Sequence, residues 1–197
     1  MLHHRALGRD LDQLLVSVID NRRPMLAMMR AMLAAIGAGR IETYENPREA
    51  LIAMARNTPD VVIAAAAMEP VGGAELVRAM RCKEAGALSF VPAMIMSAHA
   101  KAALVAEALR AGAHQVLVLP TSASTLYRRL DWLVNDDRPF ELKDGHYMVS
   151  GLEERLALSV PRPTYNPMPA KAPLALGETE TLSGAEAYAV KLRAARN

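Results

Sequence analysis

Five short apolar segments alternate with five segments of helical periodicity between residues 14 and 134. The first apolar segment, residues 14–19, is too short for a helix and is typical of a strand buried on both faces. Over residues 23–36 the apolar side chains recur at helical spacing, and Gly37 then provides a stop signal. This alternation predicts parallel βαβ units with right-handed crossovers, and therefore a doubly wound sheet.

The predicted strands alternate strictly with the predicted helices. The strands are predicted at 14–19, 40–45, 60–65, 91–96 and 114–119, and the helices at 23–36, 47–56, 73–84, 101–110 and 122–134. We expect a flavodoxin-like five-stranded parallel sheet of order 2-1-3-4-5 with helices on both faces. Apolar residues make up 52% of the chain and aromatic residues 4%, so Ala, Leu, Val and Met must fill the core.

The two ends of the chain lack this alternation of strands and helices. Residues 1–13 are predicted to form an N-terminal arm ahead of the domain at 14–134. Prolines interrupt the sequence from residue 139 onward, so 135–197 is expected to be an extended or partly disordered, largely irregular tail. Ser183 and Glu186 have the spacing of a capping box, which predicts a short terminal helix at 183–196.

Charge and composition exclude several classes of protein. The net charge is only +2 and no basic stripe is present, so nucleic acid is not an expected partner. No uncharged apolar stretch reaches membrane-spanning length, so no membrane association is expected. The single cysteine, Cys82, excludes an intramolecular disulfide framework. A cytoplasmic protein is therefore expected.

Several short segments, in a fixed order, resemble the receiver domain of bacterial two-component response regulators. They are SVIDN at 17–21, PDVVI at 59–63, MEPVGG at 68–73, VPAMIMSA at 91–98, AGA at 111–113 and LP at 119–120. Each segment is weakly specific alone, but together they follow the family's order along 14–134. The resemblance implies the CheY-like fold and a role in phosphorelay signal transduction.

The resemblance also implies a phosphorylation site at the carboxyl ends of the strands. In the family an aspartate ends the third strand and accepts a phosphoryl group, and an acidic pair helps it bind Mg²⁺. Here Ala65 stands at the phosphoacceptor position, Asn21 replaces the second acidic residue and Leu119 replaces the lysine. Asp20 and the switch hydroxyl of Ser97 remain.

Three coincident losses predict a degenerate receiver, or pseudo-receiver, that is not an enzyme and needs no cofactor. Mg²⁺ binding is predicted to be lost or weak, with Asp20 only a remnant ligand. Asp20 has an alternative role, which is to cap the next helix or to pair with Arg22 or Arg23. Ser97 has one too, a hydrogen bond to nearby backbone. Glu69 lies in the loop after the third strand and is not expected to replace the acceptor.

The favoured function is a non-enzymatic signalling module that acts by protein–protein interaction independent of phosphorylation. The resemblance implies a partner such as a histidine kinase, another response regulator or an output protein. It also implies a contact face on the fourth and fifth helices, with Lys101, Tyr127, Arg128 and Arg129 as candidates. The alternative function is a small-molecule or nucleotide sensor that uses the remodelled pocket at the strand ends.

The start of the tail resembles an extension that follows single-domain receivers in alphaproteobacteria. The matching residues are Arg138, Pro139, Phe140, Tyr147 and Gly151. Aromatic residues are scarce in this chain, and two of them lie in this segment. We therefore predict that the tail docks on the receiver or on a partner, with Phe140 and Tyr147 as anchors.

Overall fold

The computed structural model describes residues 2–99, 101–151 and 154–156. Within these residues a five-stranded parallel sheet has the order β2-β1-β3-β4-β5, which confirms the predicted flavodoxin-like fold. Its strands are β1 (Leu15–Ile19), β2 (Arg40–Tyr44), β3 (Val61–Ala65), β4 (Ala93–Ser97) and β5 (Gln115–Val118). The helices are α1 (Arg23–Ala35), α2 (Pro47–Arg56), α3 (Gly73–Arg81), α4 (Ala102–Arg110) and α5 (Ala123–Val134). No helix among the described residues is long and apolar enough to cross a membrane.

The three central strands, β1, β3 and β4, form because nearly all of their side chains are buried on both faces of the sheet. All five residues of β3 are buried, which explains why this strand is a continuous apolar run. Two helices begin where a side chain accepts hydrogen bonds from free backbone N–H groups. The Asn46 side chain caps α2, and the Ser122 hydroxyl accepts from Thr125 N to cap α5.

Helix α3 ends at Arg81, three residues before its predicted end. Cys82 has extended backbone angles, and its carbonyl accepts a hydrogen bond of 2.7 Å from the Ser89 hydroxyl. A 3₁₀ segment at Lys83–Phe90 follows, with Gly86 at a φ of 62°. The helix therefore ends where the hydrogen bond from Ser89, seven residues further on, takes the place of the next helical turn.

The segment after α5 is not irregular, which corrects the prediction for the start of the tail. Strands β6 (Phe140–Lys143) and β7 (His146–Val149) form an antiparallel hairpin. Its turn residues, Asp144 and Gly145, have φ values of 50° and 78°, the left-handed conformation of a two-residue hairpin turn. The predicted helix at 183–196 and most of the tail lie outside the described residues.

The N-terminal arm and this hairpin together cover the amino edge of the main sheet, and we call this layer the basal cap. Leu2 O accepts a hydrogen bond of 2.7 Å from Phe140 N, and Phe90 O accepts one from Arg5 N. The buried Asp60 carboxylate, just before β3, fixes the arm by accepting hydrogen bonds from Arg5 and Arg9. The arm is thus an ordered part of the domain.

Beneath the basal cap lies a cluster of buried basic side chains. Arg81 is fully buried and donates to the carbonyls of Gly112 and Ser89, at 3.0 and 2.9 Å. The His114 ring lies 5.9 Å from the His4 ring, and both are buried. Burial lowers the pKa of both histidines; the Arg81 charge lowers the pKa of His114 further, while Asp136 offsets part of the lowering at His4. Both rings are therefore neutral at pH 7.

We expect acid to destabilise the basal cap. The pKa of His114 in the folded protein is below its ordinary value of 6.5, so the unfolded chain binds a proton more readily than the folded protein does. The free energy of unfolding is therefore at its full value above pH 6.5 and declines as the pH falls below 6.5. For His114 this decline approaches about 1.4 kcal/mol per pH unit in the free energy of unfolding. Protonation would also remove the ring nitrogen that accepts from Ala93 N. The charged groups near the His114 ring are all cationic: Arg81, Arg138 and Arg155.

Urea denaturation between pH 5 and 7.5 measures this effect. Between pH 6.5 and 5, the decline of the free energy of unfolding with falling pH should be less steep in a His114→Gln variant. It should be unchanged in a His99→Gln variant, because His99 is exposed. Equal slopes in all three proteins would contradict the buried, neutral state of His114.

Candidate functional site

The residues singled out at the strand ends come together at the carboxyl edge of the sheet. The strand register pairs Ile19 with Ala64, Ala65 with Met96, and Ser97 with Val118. Asp20 and Leu119 directly follow two of these positions. In a doubly wound sheet this edge is where ligands bind.

Asp20 is fully buried, and Arg22 engages both of its carboxylate oxygens. The Arg22 guanidinium donates from Nε to Oδ1 at 3.0 Å and from its terminal nitrogen to Oδ2 at 2.8 Å. The Arg22 backbone N–H adds a third hydrogen bond to Oδ1. These hydrogen bonds raise the pKa of Arg22. A cation from the chain itself therefore neutralises the remaining acidic group of the site.

Asn21 joins three segments through its side-chain amide. Its nitrogen donates to Glu45 O at 2.8 Å and to Glu69 O at 3.0 Å. Its oxygen accepts from Glu69 N at 2.8 Å, so the backbone of that residue is held on both sides. A carboxylate could not donate the first two hydrogen bonds. The asparagine thus makes structural contacts that an aspartate at this position could not make.

Ala65 ends β3 with only 1% of its surface exposed. The loop that follows packs closely against it, since a Cβ atom added to Gly73 would lie 2.4 Å from the Ala65 carbonyl oxygen. The Glu69 residue of this loop is exposed, while its backbone is held by Asn21. The alanine side chain offers no nucleophile and no metal ligand.

Ser97 and Leu119 are also engaged locally. The Ser97 hydroxyl accepts from His99 N at 3.1 Å and lies 3.2 Å from His99 O, which is the backbone bonding expected for it. Leu119 N donates to Ser97 O, and the Leu119 side chain is buried. In the described part of the chain, no group of three or more His, Cys, Asp or Glu residues could hold a metal ion.

The candidate partner residues separate into two places. Lys101 is the N-cap residue that precedes α4, and it lines a cavity with Ser97 and His99. Arg128 and Arg129 line a second cavity on α5, of about 330 Å³. Tyr127 is exposed beside them.

Sequence reasoning did not identify Trp132, which lines the same α5 cavity as Arg128 and is 47% exposed. Its ring also lies 5.3 Å from the guanidinium carbon of Arg138. Trp132 follows Arg128 by four residues, so helical spacing was the signal that could have placed both side chains on one face.

The two candidate tail anchors contact the receiver-like domain. Phe140 is buried, with its ring centre 5.6 Å from that of Phe90 and 5.1 Å from the guanidinium carbon of Arg81. The Tyr147 ring lies 4.6 Å from the Phe90 ring. Both aromatic residues therefore hold the hairpin on the domain.

Comparison with known proteins is consistent with this fold. The chemotaxis response regulator CheY4 of Vibrio cholerae is 26% identical, with a TM-score of 0.56 over 61% of this chain and 98% of that chain. The receiver domain of the sensor histidine kinase PA1611 from Pseudomonas aeruginosa PAO1, solved with a magnesium ion in its active site cleft, is 18% identical. Its TM-score is 0.57 over 62% of this chain and 98% of that chain, a likeness of fold alone.

A family model gives the assignment. The model of the response regulator receiver domain matches residues 16–131, which is more than half of the 197 residues. The match spans β1 to α5 and stops before the hairpin. The chain belongs to the response regulator receiver domain family.

Proposed function

We propose that this receiver domain signals through protein–protein contact without phosphorylation at the end of β3. The observation that carries the proposal is the Asp20–Arg22 pair, in which the Arg22 guanidinium donates hydrogen bonds to both oxygens of the Asp20 carboxylate. Ala65 supplies no oxygen to accept a phosphoryl group. The buried Leu119 supplies no charge to engage one.

The same residues favour a site without Mg²⁺. This ion requires several oxygen ligands in near-octahedral geometry and usually binds one or two carboxylates in proteins. Asp20 would have to give up two hydrogen bonds to Arg22, and Asn21 would have to release the Glu69 loop. Both changes cost free energy before any metal ligand is gained. The proposed site is therefore one fixed arrangement in place of a metal-dependent switch.

The proposed output surface is the exposed side of α5. Receiver domains act by contacting histidine kinases, other regulators or output domains. Trp132, Tyr127 and Arg128 are exposed on this helix. Tryptophan, tyrosine and arginine are the residue types that most often dominate binding energy at protein interfaces. We propose that a protein partner contacts this surface whatever the state of the strand-end site.

The alternative of a small-molecule sensor at the strand ends has less support. It needs open space where alanine replaces a larger side chain, yet Asp20 is fully buried and Ala65 is 1% exposed. The cavity beside Ala66 measures about 130 Å³, below the roughly 300–1,000 Å³ of typical ligand sites. A larger cavity of about 490 Å³ is lined by Ser97 and the start of α4, but Asp20, Asn21 and Ala65 are not in its lining.

Intact-protein mass spectrometry after incubation with Mg²⁺ and a small acyl phosphate tests the proposal. We expect no phosphoryl adduct on the natural chain. A restored variant, Asn21→Asp with Arg22→Ala, Ala65→Asp and Leu119→Lys, should gain one. If the natural chain becomes phosphorylated, a Glu69→Gln variant will identify or exclude the loop carboxylate, and the proposal is wrong in either case.

A further inference from the structure

A basic groove lies between the carboxyl ends of α3 and α4 and the turn of the β6–β7 hairpin. It measures about 350 Å³, and we call it the basal groove. Its lining residues are Arg78, Arg110, Ala111, Lys143, Asp144, His146 and Met148. Because helices run antiparallel to the strands in this fold, the groove is at the opposite end of the domain from Asp20 and Ala65. Half of it comes from the hairpin, which lies beyond the family match at residue 131.

Two arginines of the basal groove carry positive charge that no ion pair neutralises in the described part of the chain. Arg78 and Arg110 are exposed, and among the described residues neither side chain has an ion-pair or hydrogen-bond partner. Lys143 pairs with Glu141 at 3.1 Å. Both arginines lie in the last turns of their helices, where cations are favourable. The helix dipole favours the two arginines at these positions, but it does not explain the presence of Lys143, which lies on β6, in the same groove.

The hairpin wall of the groove is held firmly in place. Lys83 N donates to Gly145 O at 3.0 Å, and Cys82 forms a backbone bridge with His146. The His146 ring lies between two partners, with Nε2 3.4 Å from Cys82 Sγ and Nδ1 3.0 Å from Asp144 O. Since a carbonyl oxygen only accepts, Nδ1 donates to Asp144 O. Such preorganisation reduces the entropy cost of binding a ligand.

We infer that the basal groove binds an acidic peptide segment of a protein partner. Carboxylates of the peptide would form charge-assisted hydrogen bonds with Arg78 and Arg110, whose planar guanidinium groups match a carboxylate. An apolar side chain between the carboxylates would contact the buried floor residues Ala111 and Met148. The inference does not depend on the state of the strand-end site.

Several features favour a peptide over nucleic acid. A polyphosphate chain requires a continuous basic track, which the Asp144 carboxylate in the groove lining interrupts, whereas a short peptide needs its carboxylates only at Arg78 and Arg110. The whole chain has a net charge of only +2. An apolar floor also fits a peptide side chain better than a sugar–phosphate backbone.

Amide NMR of the full chain tests the inference with defined probes. The acidic probe is the peptide Glu-Glu-Leu-Glu-Glu, and the matched neutral probe is Gln-Gln-Leu-Gln-Gln. We expect saturable shifts at Arg78, Arg110 and His146 with the acidic peptide alone. The shifts should disappear at about 0.5 M salt, where charge interactions are screened within a few ångströms.

Matched variants distinguish peptide binding at the basal groove from peptide binding at the α5 surface. An Arg78→Gln, Arg110→Gln double variant should weaken binding at least about tenfold, whereas Arg128→Gln should leave it unchanged. Lys143→Gln gives a second test from the hairpin side. Absence of saturable shifts, or equal binding by the double variant, would overturn the inference. Tighter binding of a single-stranded oligonucleotide in the same groove would overturn the choice of an acidic peptide.

Discussion

We expect the Phe140→Ala substitution to lower the free energy of unfolding by about 3–4 kcal/mol, in the range of phenylalanine truncations in protein cores. Phe140 is 5% exposed and contacts Phe90, His114 and Arg81. Its loss would leave a cavity beside the buried Arg81 guanidinium, one of whose two terminal nitrogens has no hydrogen-bond acceptor among the described residues. Entry of water to that guanidinium would offset part of the lost packing, which keeps the estimate below the upper end of the range.

Leu142→Ala provides the matched control on the same strand. Leu142 lies two residues from Phe140 on β6 but is 50% exposed, so its truncation should change stability by less than about 0.5 kcal/mol. Equilibrium urea denaturation of the full chain measures both effects. Equal and small effects would mean that the hairpin does not pack on the domain in solution.

We expect Arg22→Ala to lower the free energy of unfolding by about 2–3 kcal/mol, because it leaves a buried carboxylate with no cation beside it. The Asp20 side chain is 0% exposed, whereas the Arg22 side chain is 59% exposed. Solvent reaches the guanidinium and screens part of the attraction, so the expected loss is smaller than for a pair buried on both sides. Equilibrium urea denaturation measures the loss.

A double-mutant cycle isolates the contribution of the Asp20–Arg22 pair. Removing Asp20 together with Arg22 should restore about 1.5–2 kcal/mol relative to the sum of the single variants. Arg23→Ala is the matched control, since Arg23 pairs with Glu45 on the surface, with 83% and 50% of the two side chains exposed. That substitution should cost less than about 0.5 kcal/mol. Similar losses for the two arginine variants would contradict a structural role for Arg22 at the site.

The main sheet was predictable because each strand and helix leaves its own period in the sequence. The apolar run at β3 reflects burial on both faces, and the positions of α1, α2, α4 and α5 follow from apolar spacing and capping residues. The end of α3 was not predictable by this route. It depends on the Ser89 hydroxyl, which bonds the Cys82 carbonyl from seven residues further along the chain and leaves no trace in the apolar spacing.

The hairpin had a local signal that the prolines obscured. Asp144-Gly145 between two alternating segments is a strong indication of a two-residue hairpin turn. The packing of the N-terminal arm on the domain had no local signal, since the contact between the His4 and His114 rings joins residues far apart in the sequence. At the strand-end site, the sequence alone places an alanine at position 65, and the loss of the phosphoacceptor there stays a prediction. The bonding of Asn21 to Glu45 and Glu69 required the three-dimensional arrangement.

The most direct test of the central claim is an amide NMR titration of the full chain with Mg²⁺ and then with beryllofluoride, a mimic of the phosphoryl group. The restored variant defined above is the positive control, and it includes Arg22→Ala so that Asp20 is free to bind the metal. Our account predicts no saturable shifts in the natural chain and clear shifts in the restored variant. Saturable shifts at Asp20, Ala65 and Ser97 in the natural chain would contradict it, because the strand-end site would then still bind a metal or an anion.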